Sequence, residues 1–112
     1  MKALSCIVII ASIFSCNSKG PQPVEPPCVS DQVIYFTESE ACETGASVRE
    51  YEFQKDVVYV FDAGNCLADG SQAVVNYSCD TIGYLGGFPE NTEINGKDFY
   101  EKAEFIRTLF EN

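Results

Sequence analysis

Four cysteines, Cys28, Cys42, Cys66 and Cys79, stand between Cys28 and the last residue, Asn112. They constrain this chain more than any other feature. A body this short supports one domain, buries only a modest core and commonly needs staples. An even cysteine count in an exported chain of this size implies two disulfides. Four cysteines allow three pairings. The local one, Cys28–Cys42 with Cys66–Cys79, closes the shortest loops and is the expectation. A loop of about 15 residues is worth about 3 kcal/mol on the chain-entropy model. Zinc is the competing use. It is set aside because the spacings are wide, no CxxC occurs and the chain contains no histidine. The missing histidine also removes Ser-His-Asp triads, Cys-His pairs and His-based metal sites. Any catalysis would rest on carboxylates, lysine, tyrosine or a bare thiol, and the chain is read as a non-enzyme with no cofactor.

The disulfide reading requires export, and the N-terminus supplies the pattern. Met1 and Lys2 give a short positive start, and Ala3 to Phe14 run almost without polar groups. That run is too short to span a hydrocarbon core of about 30 Å. A charged start, a short apolar stretch and a small residue at its end read as a signal peptide over residues 1–15. Ile13-Phe14-Ser15-Cys16 resembles the lipobox of bacterial lipoproteins, in which cleavage falls before the cysteine and the sulfur takes a diacylglycerol. Cys16 is therefore the expected lipidation site. One acyl chain anchors marginally and two anchor stably, at about 0.8 kcal/mol per buried methylene. Residues 16–27 follow as a tether carrying Pro21, Pro23, Pro26 and Pro27. Proline fixes φ and cannot donate to a helix or a strand ladder. Such a spacer extends about 3.1 Å per residue and holds a folded body, residues 28–112, roughly 30 Å from its anchor.

Charge narrows the partners. The whole chain has 7 Lys+Arg, 17 Asp+Glu and a formal net charge of −10; loss of the leader removes Lys2 and takes it to −11. Nucleic-acid backbones need clusters of Lys and Arg, so nucleic acid is excluded as a partner. An anionic bilayer also repels such a body, which leaves the N-terminal lipid to hold the membrane.

Hydrophobic periodicity gives the fold class. Ser30 to Ser39 place Val33 and Phe36, with Val29 before them, at helical spacing, and Ser30 or Asp31 suits the cap. Ser47 to Gln54 alternate with period two, as a strand with one wet face does. Asp56 to Asp62 are apolar on both faces, as in a central strand. Lys55 and its neighbours form the hairpin turn between the two. Ala73 to Ser78 give a third strand, and TIGYLGG after Asp80 a fourth. Asn95-Gly96 is a turn signal, because both residues tolerate positive φ. In Phe105 to Phe110 apolar residues alternate again and favour a last strand over a helix. The expected class is α+β: one N-terminal helix packed on an antiparallel sheet of four or five strands, stapled by two disulfides.

CVSDQVIYF, the run from SVREYEF through GKDF, and FIRTLF together resemble a family of uncharacterised lipoproteins from Bacteroidetes, filed as a domain of unknown function. VYVFDAGNCLAD (Val58 to Asp69) and LGGFPENTEINGKDF (Leu85 to Phe99) are the most specific parts, and the likeness covers about Pro27 to Phe110. The resemblance implies the cell envelope, at the outer membrane, as location, and it implies the same cysteine use and fold. It implies no activity.

Candidate sites remain to be weighed. GYLGGFPENTEINGK fails the phosphate-loop pattern, since Asp98 follows Lys97; Gly86-Gly87 are read as turn glycines. In DAGNCLADG, Asp62, Asn65 and Asp69 offer oxygens for calcium, but Gly64 and Cys66 break the EF-hand order. These three read first as turn residues, with calcium the alternative. Glu50 and Glu52 share a strand face and read as solvated rather than as an acid/base pair, which needs a cleft. Asp80-Thr81-Ile82 resembles the Bacteroidetes O-glycosylation motif and makes Thr81 a candidate. Six tyrosines and eight phenylalanines without tryptophan are many for this size; most fill the core, and the rest suggest a recognition patch. The functional expectation is a lipid-anchored module that binds a protein or a glycan. The alternative is a structural or accessory subunit of an envelope complex with no ligand of its own. A concave, aromatic-lined groove is the feature that favours a ligand.

Overall fold

The computed structural model describes residues 24–66 and 70–112. The expected signal peptide, Cys16, most of the expected tether and Asp69 therefore lie outside the described residues. Helix α1 covers Pro27–Ser39. It starts before the expected Ser30, because Pro26 and Pro27 supply the boundary: proline at the first helical position gives up only an N–H that has no partner there. Neither Ser30 nor Asp31 caps it. Val29 and Phe36 are buried and Val33 packs against them, as the 3.6-residue period requires.

Among the described residues seven strands follow: β1 Ser47–Phe53, β2 Asp56–Asp62, β3 Ser71–Asn76, β4 Thr81–Gly86, β5 Glu93–Ile94, β6 Lys97–Asp98 and β7 Glu104–Glu111, with a single-turn helix α2 at Phe99–Lys102 between the last two. Five of them form one antiparallel sheet in the order β4-β3-β2-β1-β7, and β5 and β6 form a separate two-stranded ribbon. The helix, the central position of β2 and the last strand stand as the sequence pattern requires. The ribbon and α2 do not follow from it: two-residue strands have no measurable period, and only their Asn95-Gly96 turn, with φ of 55° and 78°, was readable.

Both faces of the sheet are covered, so β1 has no fully wet face. On one side α1 packs over Val48, Tyr59, Phe61 and Val75. On the other, Ile94 and Phe99 from residues 93–103 cover Phe53, Val58, Val60, Val74 and Leu85. Gly83 makes the second layer possible: a Cβ there would meet Ile94 Cδ1 at 2.7 Å.

The disulfides correct the expected pairing. They are Cys28–Cys79 and Cys42–Cys66, with Cα separations of 6.2 and 5.7 Å. Cys28 and Cys42 sit near opposite ends of α1, which at about 1.5 Å per residue is roughly 20 Å long. Cys66 and Cys79 flank β3, whose six residues span about 20 Å at 3.3 Å each. A disulfide bridges Cα atoms less than about 7 Å apart, so neither local pair closes. The ends of the helix layer are tied to the ends of the sheet instead.

Candidate functional site

The helix does not cover its whole side of the sheet. Phe61 on β2, Ala73 on β3 and Tyr84 on β4 are register partners, and the small Ala73 and Ala63 leave a low floor between α1 and β4. The result is an open groove with two adjoining lobes of about 410 and 500 Å³ that share Phe36, Glu40, Phe61 and Ala73. Tyr35 on α1 lines the first lobe and Tyr84 on β4 the second; they are 61% and 55% exposed, far more than core aromatics. Asp31, Gln32 and Thr81 line the first lobe. The Gln32 amide is held by donating to the Cys79 carbonyl at 3.4 Å. Among the described lining residues, Asp31 and Glu40 carry the only charges, and both are acidic.

Beside the groove, a row of polar side chains runs across the sheet beneath the chain segment that enters α1. Arg107 on β7 pairs with Glu50 on β1, and Glu50 pairs in register with Tyr59 on β2. Arg107 Nε donates to Glu50 Oε1 at 2.6 Å, and Nη2 donates to Glu25 Oε1 at 2.7 Å. Ser30 Oγ donates to the other Glu25 oxygen at 3.3 Å, and Tyr77 Oη to the Val24 carbonyl at 3.2 Å. Residues 24 and 25 are thus strapped across the entry end of the sheet, from the turn after β3 to β7. The hydrogen bond from Arg107 holds the Glu25 carboxyl below its ordinary range, and the bond to Glu25 raises the guanidinium. Burial and then the neighbouring Glu50 push the Tyr59 phenol well above its usual value, and its hydroxyl has no hydrogen-bond partner among the described residues.

Glu50 is a correction. It is 1% exposed, not part of a solvated face with Glu52. Its alternation was right, but that face lies under α1, and the charge is tolerated because Arg107 meets it. The arginine stands 57 residues further on, and nothing local announces it.

The remaining sequence candidates are dispersed. Thr81 opens β4, is exposed and lines the groove. Asp62 Oδ1 accepts from the Gly64 N–H at 2.9 Å, the geometry of an Asx turn. Asn65 packs on Gly45. Gly86 and Gly87 have φ of 76° and 79°, as turn glycines do. On the far side of the sheet, Tyr51 stacks edge-on with Phe99 and Phe105 at centroid distances of 5.2 and 5.7 Å, and Tyr100 touches Phe99 at 6.0 Å. Phe105 and Tyr100 are largely exposed.

The profile of a family described as a domain of unknown function, DUF6970, matches residues 35–112. The chain belongs to this family. The matched span takes in Tyr35, Tyr84, the seven strands of the described residues and Arg107, and it begins after Glu25, Cys28, Asp31 and Gln32. No curated protein and no solved structure matches the chain. Among the described residues, no helix is long and apolar enough to cross a membrane.

Proposed function

We propose that this chain is a lipid-anchored protein of the bacterial cell envelope whose body is a small binding module, with the groove beside α1 as its ligand site. The groove carries the reading: Tyr35 in one lobe and Tyr84 in the other, with Phe36, Phe61, Ala73 and Val75, line a concave, mostly apolar surface with a few polar groups, as ligand sites do. The leader pattern of residues 1–15 and the Cys16 that follows it support the anchor. Two disulfides among the described cysteines support an oxidising compartment. The strap at Glu25 fixes the point at which residues 24 and 25 join the body.

Two measurements test this. Mass spectrometry of the protein from its own membrane should find residues 1–15 gone and acyl chains on Cys16; an intact leader without lipid overturns the anchor. Capture from the same membranes should recover a ligand that the double variant Tyr35→Ala/Tyr84→Ala loses. Both side chains are exposed, so the fold survives their truncation. Identical recovery by the two proteins would overturn the groove as the ligand site. The exposed Phe105 and Tyr100, which flank the half-buried Tyr51 and the buried Phe99, favour a second reading, an accessory subunit that assembles through that face. On that reading Phe105→Ala, not the groove variant, abolishes association.

A further inference from the structure

We infer that a cavity lined by Gln54, Lys97 and Lys102, separate from the groove, binds a single phosphate group. The described residues contain five cationic side chains, Arg49, Lys55, Lys97, Lys102 and Arg107. Both arginines are taken up by ion pairs, Arg49 with Glu111 and Arg107 with Glu25 and Glu50. Among the described residues none of the three lysines has such a partner. Asp98, next to Lys97, is engaged as the cap of α2, where its Oδ1 accepts from the Glu101 N–H at 3.0 Å. Lys97 and Lys102 line one open cavity of about 350 Å³ together with Gln54, and Lys55 follows Gln54 in the β1–β2 turn. In a chain with a formal net charge of −10, the unpaired cations of the described residues thus stand in or beside one cavity.

The lining is made of donors. Lys97 opens β6 and Lys102 closes α2. Asn95 Nδ2 donates to Gln54 Oε1 at 3.3 Å, which joins the two turns and leaves the Gln54 amide N–H groups to donate elsewhere. Gln54 keeps its side chain at a φ of 54°, a left-handed conformation that costs a non-glycine residue and is found most often at functional sites. Charge then selects the ligand. A lysine ammonium is a compact point charge with three donors and suits phosphate. A phosphate monoester carries about −1.5 to −2 at neutral pH and offers three acceptor oxygens, enough for two ammonium groups and an amide. A carboxylate brings one charge and leaves one lysine unmatched. A polyanion is repelled by the acidic surface beyond the cavity, so the phosphate is a single group. The volume falls at the small end of the range of about 300–1,000 Å³ for ligand sites, which suits a carrier the size of one sugar.

The test is a titration of the full mature chain, labelled with nitrogen-15, followed by the shifts of its backbone amides at constant ionic strength. The probes are inorganic phosphate, glucose 6-phosphate, glucuronate, glucose, and neutral phosphatidylcholine vesicles with and without phosphatidic acid. The expected result is a saturable shift at Gln54, Lys97 and Lys102 with the phosphate-bearing probes, and none with glucose or the neutral vesicles. Glucuronate should bind at least about threefold more weakly than glucose 6-phosphate. Lys97→Gln and Lys102→Gln should each weaken phosphate binding about threefold, as exposed charge pairs do, and the double variant about tenfold. Both lysines are exposed, and unchanged amide positions elsewhere in the spectrum check the fold. A stronger response to glucose 6-phosphate than to the free ion places the phosphate on a small carrier, and a response confined to phosphatidic acid places it on a lipid headgroup; either upholds the inference. No saturable shift at these amides, glucuronate binding as tight as that of glucose 6-phosphate, or phosphate binding untouched in the double variant overturns it. None of these outcomes involves Tyr35 or Tyr84, so the groove reading stands or falls by its own test.

Discussion

The two layers that sandwich the sheet are held in different ways. The α1 layer is tied covalently at both ends, by Cys28–Cys79 where the helix begins and by Cys42–Cys66 just after it ends, and the Arg107 strap secures the chain that leads into it. The opposite layer, residues 93–103, contains no cysteine. It rests on two inserted side chains, Ile94 and Phe99, each at most 2% exposed. The contrast teaches why the groove tolerates being open. A helix pinned at its ends does not need full coverage of the sheet to stay in place, whereas a ribbon of two-residue strands must bury everything it has. The groove accordingly lies in the stapled layer.

The largest expected effect tests the unstapled side. Phe99→Ala removes the ring that touches Tyr51 and Phe53 and should cost roughly 3–5 kcal/mol in urea unfolding, with early loss of amide protection in residues 93–103. A cost below about 1 kcal/mol would mean that this layer is held by something else. Replacing Cys28 and Cys79 with serine comes next. The loop spans 51 residues, and the chain-entropy model gives a ceiling of about 4 kcal/mol. Faster hydrogen exchange should appear in α1 and not in residues 93–103; uniform loss in both layers would erase the distinction.

Glu25→Gln probes the strap. Its carboxyl is held below the ordinary value of 4.5, so its charge stabilises the fold above that value. The contribution should drain away as pH falls from about 4.5 through the lowered folded-state value. With partners about one-third exposed, the loss is about 0.5–1 kcal/mol at neutral pH. The variant should lose the wild type's stability drop in that acid window, measured by thermal unfolding across pH. An unchanged profile would remove Glu25 from the strap. The smallest effect is a gain. The β1–β2 turn puts Gln54 and Lys55 at φ of 54° and 69°, where side chains are strained, and Lys55→Gly should stabilise by about 0.5 kcal/mol or slightly more. A lower midpoint would show that the lysine side chain contributes more than its backbone costs.

Much of the fold was legible because its signals are local. Val29, Val33 and Phe36 repeat at helical spacing, Asp56 to Asp62 are apolar on both faces, and Asn95-Gly96 marks a turn. Each property belongs to a short run of residues. The disulfide pairing was half-legible: the regular elements between the local cysteines already hold them too far apart, and only the preference for short loops argued the other way. The ribbon at residues 93–98 and α2 were not legible, since two strand residues and one helical turn leave no period to read.

By itself, then, the sequence determined the elements that repeat, the number of staples, the acidity and the address pattern at the N-terminus, because each is a property of composition or of neighbours along the chain. The tertiary structure alone decided that Cys28 meets Cys79, that Glu50 is buried against Arg107, and that Tyr35 and Tyr84 line adjoining lobes of one groove. Those meetings join residues dozens of positions apart, and only the packing of α1 across the sheet brings them within reach.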